Sequence, residues 1–284
     1  FSLPSVGDAK VVSMGGLDIK TGKALTDLAL VSDVPTDKTQ PVNVTPLTTV
    51  ISAATTPEEK AQVLSAFGIS GSVEELLTSD GWAKAESGDE NAKANQRINQ
   101  QIGLLLQTAI TLTDDADEST DVSVALAQSV AKQISVVAQS EGSIDLTAST
   151  TIKTVLTDAA QEITPSIDVA SSVVKAVADA VAMVNAVVAN ITLDPLSDMA
   201  TEIAVAAQGS LQASVLDVVS GSVTVDSFAE EAGAVKLFEN IAVAADAPDS
   251  DSDGIPDMLD FDDDNDGVAD GSDAFPLDST ESID

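Results

Sequence analysis

The sequence predicts a mainly α protein: a multi-helix bundle over 46–246, with a short extended or β region before it (1–45) and a separate acidic segment after it (247–284). Three observations lead there. From Thr45 onward apolar residues recur at steps of three and four, the period of one helix face. Helix-start signals punctuate the same stretch, each a Ser, Thr or Asp followed by proline, or by glutamate three residues later. Residues 1–45 break instead into short runs around glycines and prolines, and 246–284 carries fifteen acids with no Lys or Arg.

In the first region Val6-Gly7, Gly15-Gly16, Thr21-Gly22, Pro35 and Pro41 separate runs such as Lys10–Ser13 and Ala29–Val31. Asp18–Gly22 suits a turn between two short strands. No other stretch offers them a sheet, so they are expected to pair with each other along the helical body. The alternative is that they lend an edge to a neighbouring molecule. Gly22-Lys23 after a glycine pair is read as an ordinary turn. A phosphate loop needs four residues between its glycines rather than five, and a Ser or Thr where Ala24 stands.

Thr45-Pro46 and Thr56-Pro57 set N-caps before proline, and Thr56/Glu59, Ser72/Glu75 and Ser227/Glu230 have capping-box spacing. A helix from about 57 to 67 ends at Gly68, and a short one covers 72–79. Gly81-Trp82 and the polar stretch Glu86–Gln101 lead into a seam of Ile98, Ile102, Leu105, Ala109 and Leu112. After an acidic turn, Asp114–Asp121, comes a helix with Val122, Leu126, Val130, Ile134 and Val137 on one face, closing near Gly142. The next carries Ile152, Val155, Leu156, Ala159 and Ile163. Thr164-Pro165 opens the longest helix, with Val169, Val173, Val177, Val181, Val184, Val188 and Ile191 in line and Asp168, Lys175, Asp179 and Asn185 elsewhere. It reads as too polar to span a membrane. Asp194-Pro195 starts a helix with Met199, Ile203, Ala207, Leu211 and Val215, kinked at Gly209. Asp226-Ser227 starts the last, with Phe228, Val235, Phe238 and Ile241. Alanine-rich stripes imply closely approaching helices around one common core.

Composition narrows the function. Apolar residues make up 44% of the 284, enough for a sizeable core, but only seven are aromatic, so that core must be aliphatic. The net charge of −35 repels phosphates and anionic lipid heads, which argues against nucleic-acid and membrane-surface partners. Cations are the natural counterpart, and a salty extracellular setting screens the self-repulsion. Zero cysteines and zero histidines exclude disulfides, thiolate metal sites, the usual zinc ligand and the usual general base. Phe1-Ser-Leu-Pro is read as a mature start rather than a signal peptide, so export is inferred from chemistry.

The acidic end supplies that chemistry. Written as loop positions 1, 3, 5, 9 and 12 with glycine at 6, Asp249, Asp251, Asp253, Asp257 and Asp260 stand with Gly254. Thirteen residues on, Asp262, Asp264, Asp266, Asp270 and Asp273 stand with Gly267. Ca²⁺ takes six to eight oxygen ligands. This spacing folds a short loop around such an ion, with glycine at the sharp turn and the position-7 carbonyl, Ile255 or Val268, pointing inward. A solvated acidic tail would not repeat glycine and five acids in one register.

The pair resembles thrombospondin type 3 repeats, which wrap calcium in tandem without flanking EF-hand helices. The closing Asp273-Ala-Phe275-Pro276-Leu-Asp is similar to the ending of many bacterial copies. The resemblance covers about a tenth of the chain and implies that the ten aspartates are ligands. It departs from animal versions in lacking cysteines, and from EF-hands in having Asp rather than Glu at position 12. That shorter acid points to weak affinity, on the order of 10⁻⁴ to 10⁻³ M. Asp263, Asp278 and Glu281 are left as solvated charge rather than a third site. Val42-Asn-Val-Thr-Pro-Leu-Thr-Thr49 resembles the opening of helical modules in large secreted bacterial proteins, a likeness that implies no activity.

No enzyme is expected. Serines and threonines lack a histidine base, and no Gly-x-Ser-x-Gly elbow occurs; a Ser–Lys dyad stays open, but nothing marks one. Arbitrary acid pairs mean nothing among forty-seven acids, and sugar-cleaving sites want more aromatics than one Trp and no Tyr. Millimolar calcium is found outside cells, so the expected role is an extracellular or cell-surface structural protein of bacterial type. Calcium would rigidify its acidic end, and its termini would join copies into a homo-oligomer, filament or matrix. The alternative is an adhesin or stalk module of a larger surface protein with a cell-surface or matrix partner. Leu277–Asp284, similar to a phrase that joins successive repeats in bacterial relatives, fits that alternative.

Overall fold

The computed structural model describes residues 9–15, 28–112, 120–163, 171–190, 211, 214–231, 248, 250–251, 264, 266, 275 and 277–280. Among these the protein is mainly α with one two-stranded sheet. Strands β1 (Lys10–Met14) and β2 (Ala29–Asp33) pair antiparallel with Val12 opposite Val31, so the first of the two readings of this region is the one the fold adopts. The proposed turn at Asp18–Gly22 lies outside the described residues.

What holds this ribbon is helix α1 (Pro46–Ala53). Thr45 caps it and Pro46 opens it, and Thr48 closes the capping box by accepting from Thr45 N at 2.8 Å. The next two threonines face β2. Val31 N donates to Thr49 Oγ1 at 2.9 Å, and Thr48 Oγ1 donates to Val31 O at 3.2 Å. Both threonines are buried, so their hydroxyls stand in for a third strand at that point of the β2 edge. This is the physical content of Pro46-Leu-Thr-Thr49.

Helix α2 (Pro57–Ala66) has the Thr56/Glu59 capping box and ends at Gly68, whose φ of 69° lets Gly68 N and Ile69 N turn back onto Ser65 O and Leu64 O. Helix α3 (Val73–Thr78) is capped by Ser72. Glu75 does not reciprocate, because its carboxylate is drawn to Lys84 Nζ at 2.7 Å. Two helices begin where the sequence shows no apolar period. Asp80 caps α4 (Gly81–Glu86), and Asp89 caps α5 (Glu90–Thr111), which makes most of the polar Glu86–Gln101 stretch helical. Helix α6 (Thr120–Glu141) takes in the end of the acidic turn and stops at Gly142 with φ 70°. Then come α7 (Ser149–Ile163) and α8 (Ser171–Asn190), helical turns at 214–219, and α9 (Val225–Glu231). The start of α9 corrects the expectation. Thr224, not Ser227, is the cap, because Ser227 N donates to Thr224 Oγ1 at 3.2 Å. Helices α5 and α6 have 22 residues each and the described part of α8 has 20; the expected opening of α8 at Thr164-Pro165 lies outside the described residues.

Helices α5, α6, α7 and α8 pack in a ring: α6 on α7, α7 on α8, α8 on α5, and α5 back on α6. Ile102 and Leu105, Val130 and Ile134, Ile152 and Val155, and Val177 and Val181 fill it, with buried Ala131, Ala159 and Ala178 allowing close approach. Helices α1 and α2 lie on α6, β2 on α1 and α6, and α9 on α8. The core is aliphatic as the composition implies, and among the described residues Phe228 is the aromatic side chain fully buried in it. Met199, Ile203, Ala207, Gly209, Val235, Phe238 and Ile241 lie outside the described residues.

One expectation about α8 changes. By length and composition Ser172–Ala189 is apolar enough to cross a membrane, since its Val and Ala outweigh the two charges, Lys175 and Asp179. Those charges pair with each other at 2.5 Å, and most of that window is buried against the other helices. Asn185, off the valine line, belongs to the interior as well. It is fully buried, donating Nδ2 to Leu146 O at 2.8 Å while its backbone carbonyl accepts Gln101 Nε2 at 2.9 Å. These bonds tie α5, α8 and the turn before α7.

Thr49→Val is expected to leave Val31 N buried without an acceptor and to cost about 1–3 kcal/mol in urea unfolding, with helix content unchanged by circular dichroism. On the surface of α6 and α7, Glu162 accepts Lys132 Nζ at 2.5 Å, Ser129 Oγ at 3.0 Å and Gln133 Nε2 at 3.4 Å, and these donors, Lys132 foremost, lower its carboxyl below the usual glutamate range. A lowered folded pKa stabilises above the unfolded value, and that contribution disappears as pH falls through the folded one. Glu162→Gln should therefore be less stable than the parent at pH 7 by under about 1 kcal/mol, the pair being exposed, and the gap should close in acid below the ordinary carboxylate range.

Candidate metal centre and a polar cleft

Of the twelve residues expected to hold calcium, Asp251, Asp264 and Asp266 lie within the described residues. Asp249, Asp253, Ile255, Asp257, Asp260, Asp262, Val268, Asp270 and Asp273 lie outside them. Asp264 is buried, with 7% of its surface exposed, and Asp251 and Asp266 are half-buried. Asp264 Oδ1 accepts from Asp266 N at 3.1 Å, so positions 3 and 5 of the second loop are joined by a side-chain-to-backbone turn. Both residues have further partners. Their second oxygens, Asp264 Oδ2 and Asp266 Oδ2, are shielded from solvent and accept no hydrogen bond.

These donors are hard oxygens, the set a Ca²⁺ ion takes, and in a chain without His or Cys they do not suit a softer metal. The ligands are not assembled among the described residues, where no group of three or more acids lies close enough to hold a metal ion. Asp278, set aside as solvated charge, is exposed and organises its own turn. Its Oδ1 accepts Thr280 N at 3.2 Å and Thr280 Oγ1 at 2.6 Å, which lowers its pKa. Asp37/Thr39 and Asp145/Thr147 make the same turn. Asp263 and Glu281 lie outside the described residues.

The sequence reading missed a second feature, a cleft of about 540 Å³ between α3, α4 and the first half of α5. It is bordered by Trp82, 38% exposed, and by a row of amides on α5. Its signal in the sequence was the spacing Asn91, Asn95, Asn99, steps of four that place all three on one helix face. No protein-family model, curated protein or solved structure matches the chain.

Proposed function

We propose that this is an extracellular, calcium-binding structural protein of bacterial type, without enzymatic activity, whose acidic segment becomes rigid on binding Ca²⁺ and whose two ends join copies into a filament or matrix. The observation that carries the reading is the doubled register: five aspartates and a glycine at matching positions, repeated after thirteen residues. Ten loop aspartates in a segment without Lys or Arg repel one another, and a divalent cation removes that repulsion. The burial of Asp264 adds support, since a carboxylate withdrawn from water gains most from a counter-charge. Calcium at the concentration found outside cells fills sites of this weak class, and cytosolic calcium does not.

Assembly is supported at the other end of the chain. Among the described residues β1 pairs with β2 alone and leaves Val12 and Met14 exposed, an edge able to take an additional strand. With a net charge of −35, copies of this chain repel one another, and calcium at the acidic end lowers that barrier.

Calorimetric titration of the full chain should give two calcium ions bound with Kd on the order of 10⁻⁴ to 10⁻³ M, and Asp264→Asn should lose one of them. A parent chain that takes up no calcium at these concentrations overturns the metal reading. Negative-stain images in millimolar calcium should show filaments that dissolve on adding a chelator. Particles dispersed in both conditions would remove assembly and leave a stalk or adhesin module.

A further inference from the structure

The cleft beside Trp82 has a chemistry of its own once the groups already occupied are set aside. Its charges are used within the fold. Glu75 holds Lys84 at 2.7 Å, Asp80 accepts Ala83 N at 2.9 Å to cap α4, and Asp89 accepts Asn91 N and Ala92 N at 3.0 and 3.1 Å to cap α5. Two of its amides are structural as well. Asn43 Nδ2 donates to Leu76 O and Ser79 O, while Asn99 accepts Leu47 N and donates to Asn95 O.

What remains is neutral. Asn91, Asn95 and Gln96 line the cleft, and among the described residues their side-chain amides have no hydrogen-bond partner. Gln96 reaches across to α4: its Nε2 lies 3.6 Å from where a Cβ on Gly81 would stand, next to Trp82. Three amides, each able to donate and accept, therefore line the same cleft as Trp82, which is 38% exposed while its Nε1 donates to Glu86 Oε1 at 2.9 Å, and the space is within the range of small-ligand sites, about 300–1,000 Å³.

That combination selects its ligand by exclusion. An anion meets a strongly negative protein, and a cation finds the cleft's carboxylates already committed. An apolar molecule would strip water from the amides and return no hydrogen bonds. A sugar offers neighbouring hydroxyls that donate and accept, together with a C–H face that packs on an aromatic ring. We propose that the α3–α4–α5 cleft binds a neutral oligosaccharide, held by the amides of Asn91, Asn95 and Gln96 and packed against Trp82. The described lining residues all fall within 43–99, so the proposal does not rest on the calcium reading.

Trp82 is the only tryptophan, so its emission reports on this cleft alone. The full chain is titrated with tetraoses of glucose (β1,4-linked), xylose, mannose and N-acetylglucosamine, with tetragalacturonate as the acidic comparison, in calcium and again in chelator. At least one neutral tetraose should shift the emission saturably to the blue, equally in both conditions, and tetragalacturonate should not. Asn95→Ala with Gln96→Ala should weaken binding about tenfold with an unchanged circular dichroism spectrum. Gln96→Glu alone keeps the shape but loses the amide donors, and it should weaken binding too if the double variant does not fold. No saturable shift with any neutral tetraose overturns the proposal. So does a shift that the folded variants leave unchanged, or one that the chelator abolishes, which would move the binding to the acidic segment.

Discussion

Two threonine hydroxyls hold together the two kinds of structure in this chain. A two-stranded ribbon is marginal by itself, because its strands leave backbone groups without partners on both outer edges. Thr48 supplies a donor and Thr49 an acceptor to Val31, and they sit on a helix that itself packs on α5 and α6. The ribbon thereby becomes part of the bundle. Lys10 adds a second tie from the other strand, through its amine to the carbonyl of Ser52 at the end of α1, and Lys60 on α2 pairs with Asp33 at the end of β2.

The ring of four helices rests on a different economy. With almost no aromatic bulk available, its core relies on Val, Leu, Ile and small residues that let backbones come close, so cohesion comes from many modest contacts. In such a core a buried amide weighs heavily. Asn185 fixes how α8 sits against α5 and the turn at Leu146, since slipping it by one helical position would leave polar groups unpaired in an aliphatic interior. Apolar side chains alone, largely interchangeable in size, enforce register less strictly.

Much of this was legible in the residues. Helix starts at Thr45-Pro46 and Thr56-Pro57 were visible because cap and proline coincide, the start at Ser72 because Glu75 follows at capping-box spacing, and the stripes of α5 to α8 follow the helical period. The starts at Asp80 and Asp89 were not, since each opens a polar helix where periodicity has nothing to count. At α9 two capping residues, Thr224 and Ser227, compete three positions apart, and sequence alone does not rank them. The burial of Asn185 was not legible, because polarity usually means exposure, and only the carbonyl of Leu146 explains it. The loop aspartates were readable as a register, while the placement of Asp264 in the interior was not. The cleft escaped because its amides carry no charge and its only aromatic stands alone.

The way β2 is covered also limits how the ribbon can grow. Among the described residues, with Val31 turned onto α1, the side of β1 away from β2 is the one left for a strand from another chain. A sheet that extends on one side only is a dead end: two copies meeting edge to edge each use up their single open side, and the arrangement closes as a pair. Runaway stacking of the kind seen in amyloid needs two open sides and is blocked at this point. Any longer array of these molecules must alternate this junction with one made elsewhere on the surface.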